Sequence, residues 1–271
     1  QEVTDLKITT PDLKVEKGRL IFETIKDQAV LRRGTIGRAR LGETDVALDF
    51  EQVQDGPIKF KATGPFLDAR AFLGKNNAAE AEAPYIGPAV VVSANVNRMR
   101  THPARMIEKV KMFMDMNNKG EINQFELDAT AGTGPMTLRL KTGKGNKLTI
   151  QMEAHDAGAV LRAFDLYENV QGGQMKIYGE QVMEANNPRR LLRGSGELTN
   201  FTVVKAPVLA RVIGILSLTG ISELLGGEGI SFVRLQSDFD WVFSRSGDVY
   251  YMRNGRTSGS SIGLTFEGKI D

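Results

Sequence analysis

The sequence predicts a mainly β protein of antiparallel strands. Three observations carry this: strict apolar–polar alternation, short turn-forming links between the alternating runs, and few segments with helical periodicity. Successive Cβ atoms on a strand point to opposite sides, so alternation gives one apolar and one polar face. Runs joined by tight turns must reverse direction, which makes an antiparallel meander.

In chain order, Val46, Leu48 and Phe50 alternate with Ala47, Asp49 and Glu51, and Ile58, Phe60 and Ala62 with Lys59, Lys61 and Thr63. Met136, Leu138 and Leu140 face away from Thr137, Arg139 and Lys141. After Gly143-Lys144-Gly145-Asn146, the run Leu148, Ile150 and Met152 opposes Lys147, Thr149, Gln151 and Glu153. Further on, Val233, Leu235, Phe239, Trp241 and Phe243 oppose Arg234, Gln236, Asp238 and Asp240. Last, Ile262, Leu264, Phe266 and Ile270 oppose Thr265, Glu267 and Lys269. Asp55-Gly56-Pro57, Asn117-Asn118-Lys119-Gly120, Ser246-Gly247-Asp248 and Asn254-Gly255 supply turn chemistry, because these residues start turns or tolerate positive φ. A glycine opening onto alternating apolar residues recurs at Gly18, Gly173 and Gly247, which reads as a repeated hairpin unit without a fixed solenoid period.

Two or three short helices interrupt the pattern. Leu67–Leu73 reads as a short helix stopped by Gly74. Asp156–Val170 reads as a second, with Asp156 as cap, a stripe of Val160, Leu161 and Phe164, and Gly172-Gly173 as stop. Pro207–Leu225 is apolar nearly all round, through Val208, Leu209, Val212, Ile213 and Leu216 among others. It reads either as a core helix or as a helix that caps an apolar groove. The polar, Ala-rich stretch Lys75–Ala83 is the best internal boundary. It divides a β segment over 1–84 from a second over 85–271, unless the two form one continuous domain.

At 271 residues the chain is long enough for a sizeable core. The net charge of +2, with both signs interspersed, leaves no footprint for nucleic acid. The absence of cysteine excludes disulfides, thiolate nucleophiles and Cys-containing metal sites. No signal peptide opens the chain, and no run of about 18 uncharged apolar residues occurs.

The sequence holds no catalytic constellation, metal set or cofactor motif, so it predicts no enzyme and no cofactor. His102 and His155 are the only histidines, and neither has a second at ligand spacing. Asp238 and Asp240 form a carboxylate pair, but on the polar side of a strand, which reads as a solvated face. Arg189, Arg190 and Arg193 make a small basic cluster beside Pro188, placed in a loop and read as solvated surface or as a contact for lipid phosphate.

The stretch from about Ile122 to Asp271 resembles the C-terminal region of the AsmA-like family of large periplasmic proteins. The residues that carry this are Phe125-Glu126-Leu127-Asp128-Ala129, Asp156 to Phe164, Gly194-Ser195-Gly196-Glu197-Leu198, Ala206 to Ala210, Gly227-Glu228-Gly229-Ile230 and the ending Leu264 to Asp271. The resemblance implies a long curved sheet whose apolar face forms a groove for acyl chains and passes phospholipid between inner and outer membranes. It also implies an inner-membrane anchor on the full-length protein, absent from this chain. Groove-facing candidates are then Leu138, Leu148, Ile150, Met152, Val233, Leu235, Phe239, Trp241, Phe243, Ile262, Leu264 and Phe266, capped by the helix of Val208, Leu209, Val212, Ile213 and Leu216. The expected partner is phospholipid or another acyl-chain lipid, together with an outer-membrane or envelope protein. The alternative is a non-catalytic assembly module that acts through protein contacts.

Overall fold

The computed structural model describes residues 1–25, 27–52, 54, 56–70, 85–143, 145, 147–184, 187–204, 229–242, 249–259 and 263–270. The chain is mainly β. Its first strands are β1 (Glu2–Thr9), β2 (Leu13–Ile25), β3 (Gln28–Leu41), β4 (Thr44–Gln52) and β5 (Ile58–Asp68). There follow β6 (Val90–His102), β7 (Arg105–Met116), β8 (Ile122–Ala131), β9 (Gly134–Thr142) and β10 (Leu148–Ala154). The helix α1 (Ala157–Ala163) precedes β11 (Val170–Glu184), β12 (Asn187–Val203), β13 (Ile230–Val242), β14 (Val249–Gly259) and β15 (Gly263–Ile270). All fifteen strands join one open sheet in sequence order.

The expected antiparallel pairing holds from β1 to β5, from β6 to β8 and from β10 to β15, with one exception between the first two runs. Strands β5 and β6 pair in parallel, from Ile58 opposite Val90 to Asp68 opposite Arg100. A parallel pair needs a connection that carries the chain back along the strand, unlike a two-residue hairpin. The residues between β5 and β6 include Lys75–Ala83, which lie outside the described residues. The helix expected at Leu67–Leu73 starts too early, since Leu67 and Asp68 still belong to β5.

Two compact units divide the chain. The N-terminal unit comprises residues 1–130 with 138–142, and the C-terminal unit comprises 131–137 with 143–271. In the N-terminal unit the core lies on one face, where Ile107 and Val110 are fully buried beside Val96 and Met99. Ile107 and Val110 are three apart, and strict alternation would put them on opposite faces. Lys109 resolves this with a φ of 52°. A residue in the left-handed region inserts a β-bulge, which shifts the side-chain phase by one. The register between β7 and β8 shifts at that point, between Glu108 and Lys111. Lys17, with a φ of 56°, does the same in β2, so that Val15 and Gly18 are both buried.

The C-terminal unit repeats the device. Asn200 has a φ of 53°, and Leu198 and Phe201 on either side of it are both buried. Asn254 has a φ of 52° within β14, and the β13–β14 register shifts beside it. The expected turn at Asn254-Gly255 is therefore a bulge inside a strand; Asn suits both because its short polar side chain tolerates positive φ. The Asn117 turn does form: its Oδ1 accepts the backbone N–H groups of Lys119 and Glu121 at 2.9 and 3.0 Å.

Helix α1 is shorter than Asp156–Val170. Asp156 caps it as expected, with Oδ1 accepting the Ala159 N–H at 3.0 Å. The helix ends at Phe164, and Val170 already opens β11. Gly172 and Gly173, expected as its stop, are β11 residues with φ of 62° and 83°. Gly158 is needed because a Cβ there would lie 2.4 Å from the Val170 carbonyl oxygen. Arg162 donates to that same oxygen from the next turn of α1.

Candidate functional site

On the N-terminal unit's apolar face, cross-strand partners form uninterrupted ladders. One runs Val3, Leu20, Gly34, Phe50, Phe60, Val92, Met114 and Phe125, one residue from each of β1 to β8. Its neighbour runs Leu6, Gly18, Ile36, Leu48, Ala62, Ala94, Met112 and Leu127. Directly opposed residues share a face, so every side chain presented along these two rows is apolar. At about 4.8 Å between strands, eight strands give a row of about 34 Å.

The middle of this face is not a closed core. Leu20, Phe50, Phe60, Val92, Met114 and Phe125 are all half-buried. Among the described residues of the unit, no helix or second sheet lies over them. The Phe50 and Phe60 rings lean on each other with centroids 5.5 Å apart. Where the row holds Gly34, a Cβ would meet Leu20 Cδ2 at 2.9 Å, so the neighbouring leucine already fills that place.

The opposite face of the same strands is polar and pinned by charge. Asp45 accepts a two-pronged hydrogen bond from Arg38, at 2.8 and 2.5 Å, and a third from Arg40 at 3.3 Å. These contacts, Arg38 first, hold its carboxyl below the usual range. Arg33 pairs with Glu51 at 2.6 Å and lowers that carboxyl likewise. A depression of about 360 Å³ on this side is lined by Arg33, Asp49, Glu51, Lys61, Ser93 and Phe113 among others. Its charges stand opposite charges of the other sign, Asp49 across from Lys61 and Glu51 across from Lys59.

The C-terminal unit collects most of the expected groove-facing residues on one face. One ladder runs Ala154, Met175, Leu198, Leu235, Thr257 and Leu264 across β10 to β15. A second runs Ile150, Gly179, Gly194, Phe239, Met252 and Gly268. Met152 pairs with Ile177, and Leu148 lies two residues before Ile150 on the same side. Leu192, Trp241 and Tyr250 make a third row, with the Trp241 and Tyr250 rings stacked at 5.1 Å. Phe266 lies over Gly255, where a Cβ would be 2.5 Å from its ring.

Val233 does not join that face. It is 58% exposed, while Phe232 is buried and stacked on Phe201 at 5.4 Å. The phase change at Asn200 is matched in β13, so the alternation read through Val233 breaks there. Leu138 belongs to the N-terminal unit; Arg139 beside it bonds Asp128 on the polar side, which leaves Leu138 on the apolar side. Phe243, Ile262 and the whole capping helix (Val208, Leu209, Val212, Ile213 and Leu216) lie outside the described residues.

Asp238 and Asp240 stand on the polar side and are separately occupied. Asp240 takes Arg193 and Arg253, each at 2.8 Å, and Asp238 accepts from Asn254 at 2.8 Å. The basic cluster lies in strand β12, not in a loop, and Arg193 is committed to Asp240. His155 precedes the α1 cap, and its backbone N–H donates to the Pro135 carbonyl at 3.0 Å. Among the described residues no three His, Cys, Asp or Glu side chains form a metal set. None of the described helices is long and apolar enough to cross a membrane.

No family model, curated protein or solved structure matches the chain. The sequence reading placed its site entirely in the second half of the chain and missed the more continuous face. Val90, Val92, Met112, Met114, Met116 and Phe125 were legible through alternation in 90–96, 112–116 and 122–127. The parallel β5–β6 pairing that joins these runs to Phe50 and Phe60 was not.

Proposed function

We propose that the chain binds the acyl chains of lipids along its apolar sheet face, without catalysis. The observation that supports this most directly is the pair of N-terminal ladders: eight strands, apolar throughout, with Phe50, Phe60, Val92 and Met114 half-buried along one of them. Apolar burial is worth about 0.8 kcal/mol per CH₂ and needs no directional partner, so an acyl chain gains affinity from such a face alone. Adjacent positions along the row are chemically alike, and a chain can therefore shift along it without a large barrier. The resemblance to the AsmA-like family extends this proposal to passage of phospholipid between the two membranes, from a periplasmic location.

Native mass spectrometry of the chain isolated from cells that make phospholipid tests the reading. Wild type is expected to carry phospholipid, and Val92→Asp, which sets a charge in the middle of the row, at least tenfold less with unchanged circular dichroism. If wild type carries no acyl-chain lipid and takes none from phosphatidylethanolamine–phosphatidylglycerol vesicles, the proposal fails. An assembly module acting through protein contacts is then the better account.

A further inference from the structure

Strand β7 sets Met112, Met114 and Met116 at alternate positions, all three half-buried on the apolar face. Each lies between two residues of different character. Met112 is flanked by Ala94 and Leu127, Met114 by Val92 and Phe125, and Met116 by Val90 and Ile122. Elsewhere in the chain Met99, Met136, Met152 and Met175 are 4, 1, 9 and 6% exposed, and so serve as core. Among the described residues, the β7 stripe brings three methionines together on an accessible apolar surface.

We propose that this stripe sets the specificity of the face: it makes binding nearly indifferent to acyl-chain shape. The inference rests on the acyl-binding reading above and deepens it. Valine, isoleucine and phenylalanine have few rotamers, and a surface made of them alone fits one chain contour better than another. A gap of even half an ångström to a bound chain forfeits a sizeable part of each contact. Methionine has three rotatable bonds and a polarizable sulfur, so it refills such gaps as the bound chain bends. Three in a row, with stiffer neighbours on both sides, form an adjustable strip about 13 Å long at two residues per step of about 6.6 Å. The ligand class that follows is mixed acyl chains, straight and cis-unsaturated alike.

The test compares dipalmitoyl- and dioleoyl-phosphatidylglycerol, supplied to the full chain in equimolar vesicles and read by native mass spectrometry. Wild type is expected to bind the two within twofold of each other. The triple variant M112L/M114L/M116L replaces flexible side chains by branched ones of similar volume, and its ratio is expected to move at least fivefold. M114L alone, which disturbs folding least, is expected to move it about twofold, and the buried control M136L not at all. If both stripe variants still bind lipid at the wild-type ratio, the specificity role is overturned while acyl binding stands. If wild type binds neither lipid, acyl binding fails and this inference falls with it.

Discussion

The two units build an apolar sheet face from the same parts and fill it differently. In the N-terminal unit two neighbouring rows are apolar from β1 to β8; Phe50, Phe60, Val92 and Met114 in one of them are half-buried, while Ala94 and Leu127 in the other are buried. In the C-terminal unit Thr257 interrupts one row, and Gly179, Gly194 and Gly268 occupy another. There the large side chains close over the small ones: a Cβ on Gly194 would lie 2.7 Å from Phe239 Cζ. Leu192 and Phe201 are buried at 2 and 3% exposure, and α1 buries Val160 completely. An alternating strand thus specifies an apolar face, and the size sequence along the ladder decides where its own side chains fill it; Ile150, Phe239, Trp241 and Met252 stay half-buried on the C-terminal face, as Phe50 and Met114 do on the N-terminal one.

The comparison can be broken most forcefully at the N-terminal core. Ile107→Ala is expected to cost about 2–5 kcal/mol, because it empties a fully buried site next to the Lys109 bulge. Hydrogen exchange should show the loss first in β6 and β7; protection there unchanged from wild type would mean the core lies elsewhere. In the C-terminal unit, Gly194→Ala puts a Cβ 2.1 Å from the Tyr178 carbonyl oxygen and 2.7 Å from Gly179 Cα. It is expected to cost about 1–3 kcal/mol through overpacking. Gly268→Ala, with open space around it, should stay within about 0.5 kcal/mol in the same urea titration. Equal effects at the two glycines would show that Phe239 does not close over Gly194.

A smaller effect is expected at the helix. Asp156→Ala removes the cap on Ala159 and two 3.2 Å contacts to Thr133, at a cost of about 0.5–2 kcal/mol. Asp156→Asn should recover most of it, since the amide oxygen still accepts at the cap. The smallest is acid sensitivity. Glu16, Asp45, Glu51 and Asp68 in the N-terminal unit are held below the usual carboxylate range, by Lys14, Arg38, Arg33 and Arg70 respectively. Among the described residues of the C-terminal unit Glu197, held down by Arg234, is the counterpart. A carboxyl whose folded pKa is depressed adds stability above its unfolded value, near 4, and that stability is lost as pH falls through the folded pKa. The N-terminal unit should therefore lose more protection than the C-terminal unit between about pH 5 and pH 2. These pairs are largely solvent-exposed, so added salt should shrink the difference. A steeper loss in the C-terminal unit would contradict the assignment.

How far the sequence could be read follows from the range of each interaction. Alternation at Val46–Phe50, Ile58–Ala62 and Leu148–Met152 set strand identity and apolar side correctly, because both depend only on neighbours two residues away. Asp156 was legible as a cap for the same reason, since its partner Ala159 is three residues on. Where α1 stops was not, because Val170 is claimed by a β-strand partner at Val203. Phase through a bulge was not legible either. Lys109 and Asn254 adopt positive φ where an extra residue stands against a neighbouring strand, while at Asn200 strands β12 and β13 change phase together in unbroken register, so Val233 was read onto the wrong side.

The sequence by itself determined a mainly β chain with one apolar and one polar face, since both are written in local spacing and residue type. Only the tertiary structure decided which apolar residues stand opposite one another. That depends on the parallel β5–β6 register and on the bulges, where hydrogen bonds between residues distant in sequence overrule the local period. The continuity of the N-terminal face exists at that level alone.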